Sequence, residues 1–467
     1  MVTGAAQLAR RLAGVLRRDL ADFRAALPCR RPRPGLYRYD VHPAGGRRVI
    51  HLRIAADGSA VLMIDVGDVV HLNSTAALLT KAALDGVSSG AALAPLLARC
   101  AAADRQDIER GAGMIYRMVD HITKCTEACP TCGLAELERT PLFSRPVHAP
   151  LKADLALTYG CNNACHHCYN EPGRKRGHMM PTNRWREVLD RLAQIGVPHV
   201  IFTGGEPTLF EGLGELVCIA SRLGLVAGMN TNGRLLARGT LAAELHRAGL
   251  AHVQVTLHSH RPELHNAMTA PSAFDETVAG IERCLAAGLH SITNTTLTRR
   301  NAGGIIDMLT FLHARGVRCC ALNGMIHSGR GRAHPEAIPA AELAPLLVAV
   351  RDRSAELGMR MLWYTPTRYC ELSPLELELG ARRCNAAEYS MCIEPDGDVL
   401  PCQSYYRAAG NLLRDPWPAI WQSPLFRHLR DRVRDPRACG LPEACCDCPD
   451  LAVCAGGCPL ERERGSI

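Results

Sequence analysis

The amino-acid sequence predicts an α/β protein: a partial (β/α)6 TIM barrel with an N-terminal winged-helix-like domain and a small Cys-rich C-terminal domain. Three observations carry that expectation. Between residues 152 and 325, six apolar strand runs alternate with helical stretches. Ahead of them, period-two alternation gives way to capped helical segments. After residue 360, cysteines and prolines crowd short elements. Repeated βα units build a parallel sheet, and a barrel gathers its ligands at the C-terminal ends of its strands.

In chain order, residues 1–33 hold a basic amphipathic helix over 5–27. Residues 34–122 open with three strand runs, "LYRYDVHP", "RRVIHLRIAADG" and "SAVLMIDVGDVVHL", punctuated by Gly, Asp-Gly and Pro. "NSTAALLTKAALDG" follows with cap residues at its start and Gly86 at its end, and two more helices fall near 89–100 and 104–123. A linker over 123–151 carries its own cysteines. The barrel occupies 152–330, with strands at "DLALTYG", "HVIFTGG", "LVAGMNTNG", "HVQVTLHS", "SITNTTLT" and "RCCALNGM". A connecting helix and strand fill 331–383, and 384–467 form the Cys-rich domain, held by metal rather than by a large core.

Composition excludes several functions. The net charge of +8 arises from 54 basic and 46 acidic residues, so both signs are interspersed. No basic run is interleaved with aromatics, and aromatics make up 4% of the chain, which argues against nucleic acid. The N-terminus lacks an apolar signal core, and no stretch approaches 18 apolar residues, so neither secretion nor a membrane span is expected. The 22 cysteines cluster in C-x2-C and C-x3-C runs. Reduced thiols in a cytoplasm, used as metal ligands, fit this pattern best.

Cys161, Cys165 and Cys168 stand at C-x3-C-x2-C spacing just past the first barrel strand. Three thiolates on one loop can hold three irons of a four-iron cluster and leave the fourth open. A zinc site completed by His166 or His167 is the alternative. The second strand ends in Gly204, Gly205, Glu206 and Pro207. Paired glycines let a small molecule approach the backbone, and the Glu206 carboxylate can accept from an ammonium group.

Together these motifs resemble the radical S-adenosylmethionine (SAM) family. The resemblance implies that the three cysteines bind a [4Fe-4S] cluster and that "GGEP" binds the methionyl amine of SAM. It extends through "NTNG", with Asn232, and through "TLHS", where many relatives have "SLDG". Thr256 then takes the place of a cofactor-contacting serine, while His258 and Ser259 replace Asp and Gly. His167 stands where relatives often carry an aromatic residue. Asn294 and the segment "ALNGMIHSGRG" match positions that face the cofactor. The implied chemistry is reductive cleavage of SAM to a 5'-deoxyadenosyl radical, which abstracts hydrogen from an unactivated carbon.

The C-terminal third resembles the SPASM extension, which binds auxiliary four-iron clusters. By that resemblance Cys384, Cys402 and Cys458 serve a first auxiliary cluster, with Cys392 a candidate fourth ligand. Cys445, Cys448 and Cys454 serve a second. The family's last cysteine has no counterpart, and Cys439 or Cys446 could substitute, or one iron could stay open. One or two auxiliary clusters are expected. A zinc ribbon is the alternative for this region.

"GDVVHLNSTAALLTKAALDG" resembles a PqqD-like domain, a winged-helix module that binds leader segments of ribosomal peptides. A structural or dimerising role is its alternative. A second C-x3-C-x2-C run, Cys125, Cys129 and Cys132, lacks a GGE strand and suits a structural zinc, another cluster or free thiols. Cys29, Cys100, Cys218, Cys284, Cys319, Cys320 and Cys370 read as small core residues.

The expected function is radical modification of a ribosomally made precursor peptide, by crosslinking or oxidation. The expected partners are a leader peptide and a reductant such as flavodoxin or ferredoxin. The rivals are a cofactor-biosynthetic or sulfatase-maturing enzyme of the same architecture, and a non-enzymatic iron–sulfur carrier or zinc scaffold.

Overall fold

The computed structural model describes residues 32–43, 48–64, 68–98, 105–124, 143, 147–171 and 179–464. The helix expected over 5–27, the loop of Cys125, Cys129 and Cys132, and Cys29 and Cys100 lie outside the described residues. The chain divides into two units, Met1–Arg139 and Thr140–Ile467.

The first unit is a four-stranded antiparallel meander, β1 (Gly35–Val41), β2 (Arg48–Ile54), β3 (Ala60–Ile64) and β4 (Asp68–Leu72), followed by three helices. The run expected as one third strand is two, β3 and β4, which pair antiparallel with Ile64 opposite Asp68. Helix α1 (Ser74–Leu84) starts where the Asn73 side chain accepts the Ala76 N–H at 2.8 Å, the N-cap its sequence announces. Ser88 caps α2 (Ser89–Leu97) in the same way, and α3 (Arg105–Lys124) completes the set. Ile50, Leu52, Leu62 and Ile64 from the sheet bury against Met118, Val119 and Ile122 of α3. Among the described residues β1 and β4 are the sheet's edges. Beside β1, residues including Arg38, Tyr39, Leu84, Tyr116 and Val119 line a cleft of about 460 Å³.

The second unit holds a ten-stranded sheet. Six parallel strands follow one another in chain order: β5 (Lys152–Thr158), β6 (His199–Gly204), β7 (Val226–Thr231), β8 (Leu250–Thr256), β9 (His290–Thr296) and β10 (Cys319–Asn323). The helices between them are α4 (Thr182–Ile195), α5 (Leu213–Arg222), α6 (Leu241–Ala248), α7 (Pro262–Thr269), α8 (Phe274–Ala286) and α9 (Ile305–Ala314). The β8–β9 crossover thus carries two helices where the sequence suggests one. Along β8, Val253 and Val255 are buried while the alternating His252, Gln254 and Thr256 are only partly covered, whereas β6 and β10 are buried along their whole length.

Helix α10 (Ala340–Glu356) and β11 (Arg360–Trp363) extend the β10 edge in parallel. The opposite edge differs from expectation. β12 (Ser390–Ile393) pairs parallel with β5, and β13 (Asp398–Leu400) and β14 (Gly410–Asn411) continue antiparallel. The start of the Cys-rich segment is therefore part of the barrel sheet. Past β14 the described chain forms only short helices: α11 (Trp417–Trp421), α12 (Pro424–Asp431), α13 (Glu443–Cys446), α14 (Leu451–Cys454) and α15 (Pro459–Arg464). No helix among the described residues is long and apolar enough to cross a membrane.

Candidate active site at the strand ends

The loop after β5 is clamped on several sides. The Gly205 N–H donates to Thr158 O at 2.6 Å and the Glu206 N–H to Gly160 O at 2.8 Å. A Cβ on Gly204, whose φ is +130°, would lie 2.1 Å from Thr158 O, and one on Gly205 would lie 2.2 Å from Gly160 O. The paired glycines therefore admit the cysteine loop's own backbone, where the sequence suggests a small ligand. From the other side, Ala164 and His166 donate backbone N–H groups to Thr269 O and Met268 O at the end of α7. Gly329, at φ +53°, lies where a Cβ would sit 2.5–2.7 Å from the carbonyls of Asn170, Tyr169 and Cys168. Arg330 then donates its N–H to Cys168 O at 2.9 Å.

Glu206 is buried and its carboxylate is occupied. Oε1 accepts from Thr208 N, Thr208 Oγ1 and Thr231 Oγ1, and Oε2 accepts the Asn232 N–H at 2.8 Å. Burial raises its pKa, against the pull of these donors. Glu206 thus locks the "NTNG" turn after β7 to the end of β6. Asn232 in turn points its Nδ2 at Cys161 Sγ, 3.9 Å away, and donates to Asn162 Oδ1 at 2.6 Å. Arg234, two residues on, donates to Asn162 O and Asn163 Oδ1 and pairs with Glu276. Sequence reasoning misses Arg234 and Glu276. Their only signal is the position of Arg234 directly after "NTNG".

Cys161, Cys165 and Cys168 share one neighbourhood. Desolvation pushes the Cys165 thiol up to about 12, with Cys168 and Cys161 adding to it. The Cys161 thiol rises to about 11, first by desolvation, with Glu206 and Cys168 contributing. Such thiols are protonated when free, so binding a metal must displace their protons. Among the described residues no three His, Cys, Asp or Glu side chains form a ready single-ion site. A multi-iron cluster instead spreads its thiolates over separate irons, and an all-cysteine loop suits it. Thr256 and Asn294 are register partners at the ends of β8 and β9. Asn294 Oδ1 is buried with no hydrogen-bond partner among the described residues.

Three histidines stack behind the loop. The His167 and His258 rings meet edge to face at 4.5 Å, and His258 stacks on His265 at 5.9 Å. Burial holds all three neutral: His167 and His265 fall to about 4, and His258 is pushed well below its ordinary value. Two of the positions where this chain departs from the radical SAM pattern, His167 and His258, are therefore in contact.

At the Cys-rich end, Cys384, Cys402 and Cys458 converge. Burial raises both the Cys402 thiol and, to about 12, the Cys458 thiol, and in each case Cys384 is the next contributor. Cys392 lies on β12, buried with Ala156 and Leu400, and its S–H points to Ile393 O at 3.8 Å. Cys445, Cys448 and Cys454 form a separate group, with Cys445 raised by burial first and then by its neighbours.

Residues 155–312 match the radical SAM superfamily model, and 384–449 match SPASM, an iron–sulfur cluster-binding domain. The mycofactocin maturase MftC of Mycolicibacterium smegmatis is 30% identical over 329 residues, covering 68% of this chain and 80% of that protein. The chain belongs to the radical SAM superfamily. PqqA peptide cyclase of Xanthomonas campestris pv. campestris is also 30% identical to this radical SAM enzyme, covering 67% of it and 82% of the relative. The fold of Streptococcus suis SuiB bound to S-adenosylmethionine matches with a TM-score of 0.65 at 15% identity, over 88% of this enzyme and 95% of SuiB. SuiB bound to its precursor peptide SuiA matches at 0.63 and 16% identity, over 91% and 96%. The enzyme accordingly uses a [4Fe-4S] cluster and S-adenosylmethionine, with auxiliary iron–sulfur clusters in its SPASM region.

Proposed function

We propose that this radical SAM enzyme modifies a ribosomally synthesised precursor peptide, forming a crosslink or an oxidised residue. The supporting observation is that relatives 30% identical to it over 329 residues carry the names of a maturase and a peptide cyclase. Cys161, Cys165 and Cys168 would hold the cluster. Thr256 and Asn294 would face S-adenosylmethionine alongside the Gly204–Pro207 turn and Asn232. Bound together, cluster and cofactor supply a 5'-deoxyadenosyl radical. The residues around them have other work: Glu206 and Arg234 fix the loop, and the buried Asn294 carbonyl offers an acceptor. The chain would comprise a leader-binding unit over 34–122, a barrel over 152–330 and a cluster domain over 384–467.

The first unit suits leader binding. Among the described residues strand β1 is a sheet edge, and the cleft beside it combines Tyr39, Tyr116 and Leu84 with the charged Arg38 and Asp40. An extended peptide can add to such an edge while its side chains enter the cleft. A cytoplasmic reductant such as flavodoxin or ferredoxin would supply the electron.

Anaerobic reconstitution with reductant and S-adenosylmethionine should yield 5'-deoxyadenosine. Co-expression with short candidate precursors should then change one peptide's mass, as read by mass spectrometry. If 5'-deoxyadenosine formed but leader peptides neither bound the full chain nor were altered, the peptide reading would be lost and the radical chemistry kept.

A further inference from the structure

The cysteine loop at 161–168 is tied at both flanks to the segment that carries Cys402. We infer that Tyr406 is a positioning residue for the radical step: through Asn170 it holds the Gly204 carbonyl of the S-adenosylmethionine turn in place. The inference rests on the reading of Gly204–Pro207 as part of the S-adenosylmethionine site.

Tyr406 and Asn170 are 236 residues apart in the chain, and the sheet brings them together. β12 pairs with β5, the strand that leads into the cysteine loop, and β13 returns antiparallel to it. Past β13 the Tyr405 N–H donates to Cys402 O at 3.1 Å, a turn that presents Tyr406. The buried Ser328 hydroxyl donates to Ser404 O at 3.1 Å and braces that turn. The Tyr406 ring packs on the cluster of Ala156, Cys392 and Leu400, as does Tyr159.

From there the Tyr406 hydroxyl reaches the chain just past Cys168. It donates to Tyr169 O at 3.0 Å and to Asn170 Oδ1 at 3.3 Å. The Asn170 amide uses its other end as well, since Nδ2 donates to Gly204 O at 3.2 Å. An amide engaged at both oxygen and nitrogen cannot turn over without losing both bonds. At the other flank, ahead of Cys161, the Tyr159 hydroxyl donates to Glu394 Oε1. Segment 394–406 therefore grips the loop on either side of its three thiols. A turn whose carbonyl is fixed beforehand loses less freedom when S-adenosylmethionine binds, so the hydroxyl should act on cofactor affinity.

The reconstituted full-length enzyme tests this. Tyr406→Phe keeps the ring packing and removes only the hydroxyl. It should raise the KM for S-adenosylmethionine in 5'-deoxyadenosine formation roughly fivefold, the scale of one net hydrogen bond, with kcat and iron content held within about twofold. Asn170→Ala should raise the KM at least as far. The double variant should go no further than Asn170→Ala alone, because both residues lie on one chain of bonds. An unchanged KM in Tyr406→Phe, or effects that multiply in the double variant, would overturn the inference. A loss of iron in place of affinity would also overturn it, since Tyr406 would then act on the cluster and not on the turn. Hydrogen exchange of the wild-type enzyme judges the underlying reading separately, because S-adenosylmethionine should protect 203–208. Protection there with an unchanged Tyr406→Phe KM removes only the role of Tyr406. No protection removes the assignment of the turn itself.

Discussion

The two cysteine regions of the second unit are ordered by different means. The loop at 161–168 is held by backbone bonds to β6 and α7, by Asn232 and Arg234, and by Arg330. None of these partners is a metal. The segment from 436 to 458 has two helices of four residues each and an apolar patch centred on Cys439, Leu441 and Leu451. So small a core cannot offset the entropy of ordering the chain around it. The catalytic loop is thus shaped before its cluster arrives, whereas the auxiliary region needs metal to be shaped. An open iron that must accept a cofactor benefits from a rigid rim, while a relay centre only has to persist.

The sharpest way to break this contrast is to remove each set of thiols in turn. Cys161→Ala, Cys165→Ala and Cys168→Ala together should abolish 5'-deoxyadenosine formation while changing the barrel's melting temperature by no more than a few degrees. Cys445→Ala, Cys448→Ala and Cys454→Ala together should reduce soluble yield and remove hydrogen-exchange protection over 436–464. The barrel strands should stay protected. Equal loss of stability in both variants would refute the contrast.

The histidine stack sharpens it further. His265 accepts the His258 N–H at its Nδ1, 3.2 Å away. Its pKa falls from 6.5 to about 4 because burial penalises the cation. At pH 7 it is neutral folded or unfolded and contributes no pH dependence. As the pH falls from about 6.5 toward 4, the unfolded chain takes a proton that the folded one refuses, so stability is lost in that window. The full loss for one such group is about 3 kcal/mol. In metal-free protein, denaturant midpoints should drop between pH 7 and pH 4, and His265→Gln should flatten that slope.

Legibility follows the distance over which chemistry acts. The six βα units and the loop at 161–168 are readable because strand periodicity and cluster ligation both act over a few residues. "GGEP" is readable as a motif, yet its glycines serve the approach of Thr158 and Gly160, a contact between two strands that one strand cannot reveal. The pairing of β12 with β5 and the contact of the Tyr369 N–H with Cys454 Sγ both join segments far apart in the chain. Spacing carries no trace of either.

Arg234 is the smallest lever on the contrast and the most specific. Its guanidinium reaches the loop at Asn162 O and Asn163 Oδ1 and is steadied from behind by Glu276, with side chains 16% and 30% exposed. A charge-assisted hydrogen bond in this half-buried setting is worth about 1–2 kcal/mol once solvent screening is allowed for. Arg234→Ala should therefore slow 5'-deoxyadenosine formation by roughly tenfold if that energy orients the loop during reaction. Melting should shift by only a few degrees, because Glu206 and the backbone bonds to Thr158 and Gly160 remain. Glu276→Gln keeps the hydrogen bond, loses the charge and should fall between wild type and Arg234→Ala. A rate unchanged in Arg234→Ala would mean that the rim is rigid without its cross-brace, and that the β6 contacts alone shape the loop.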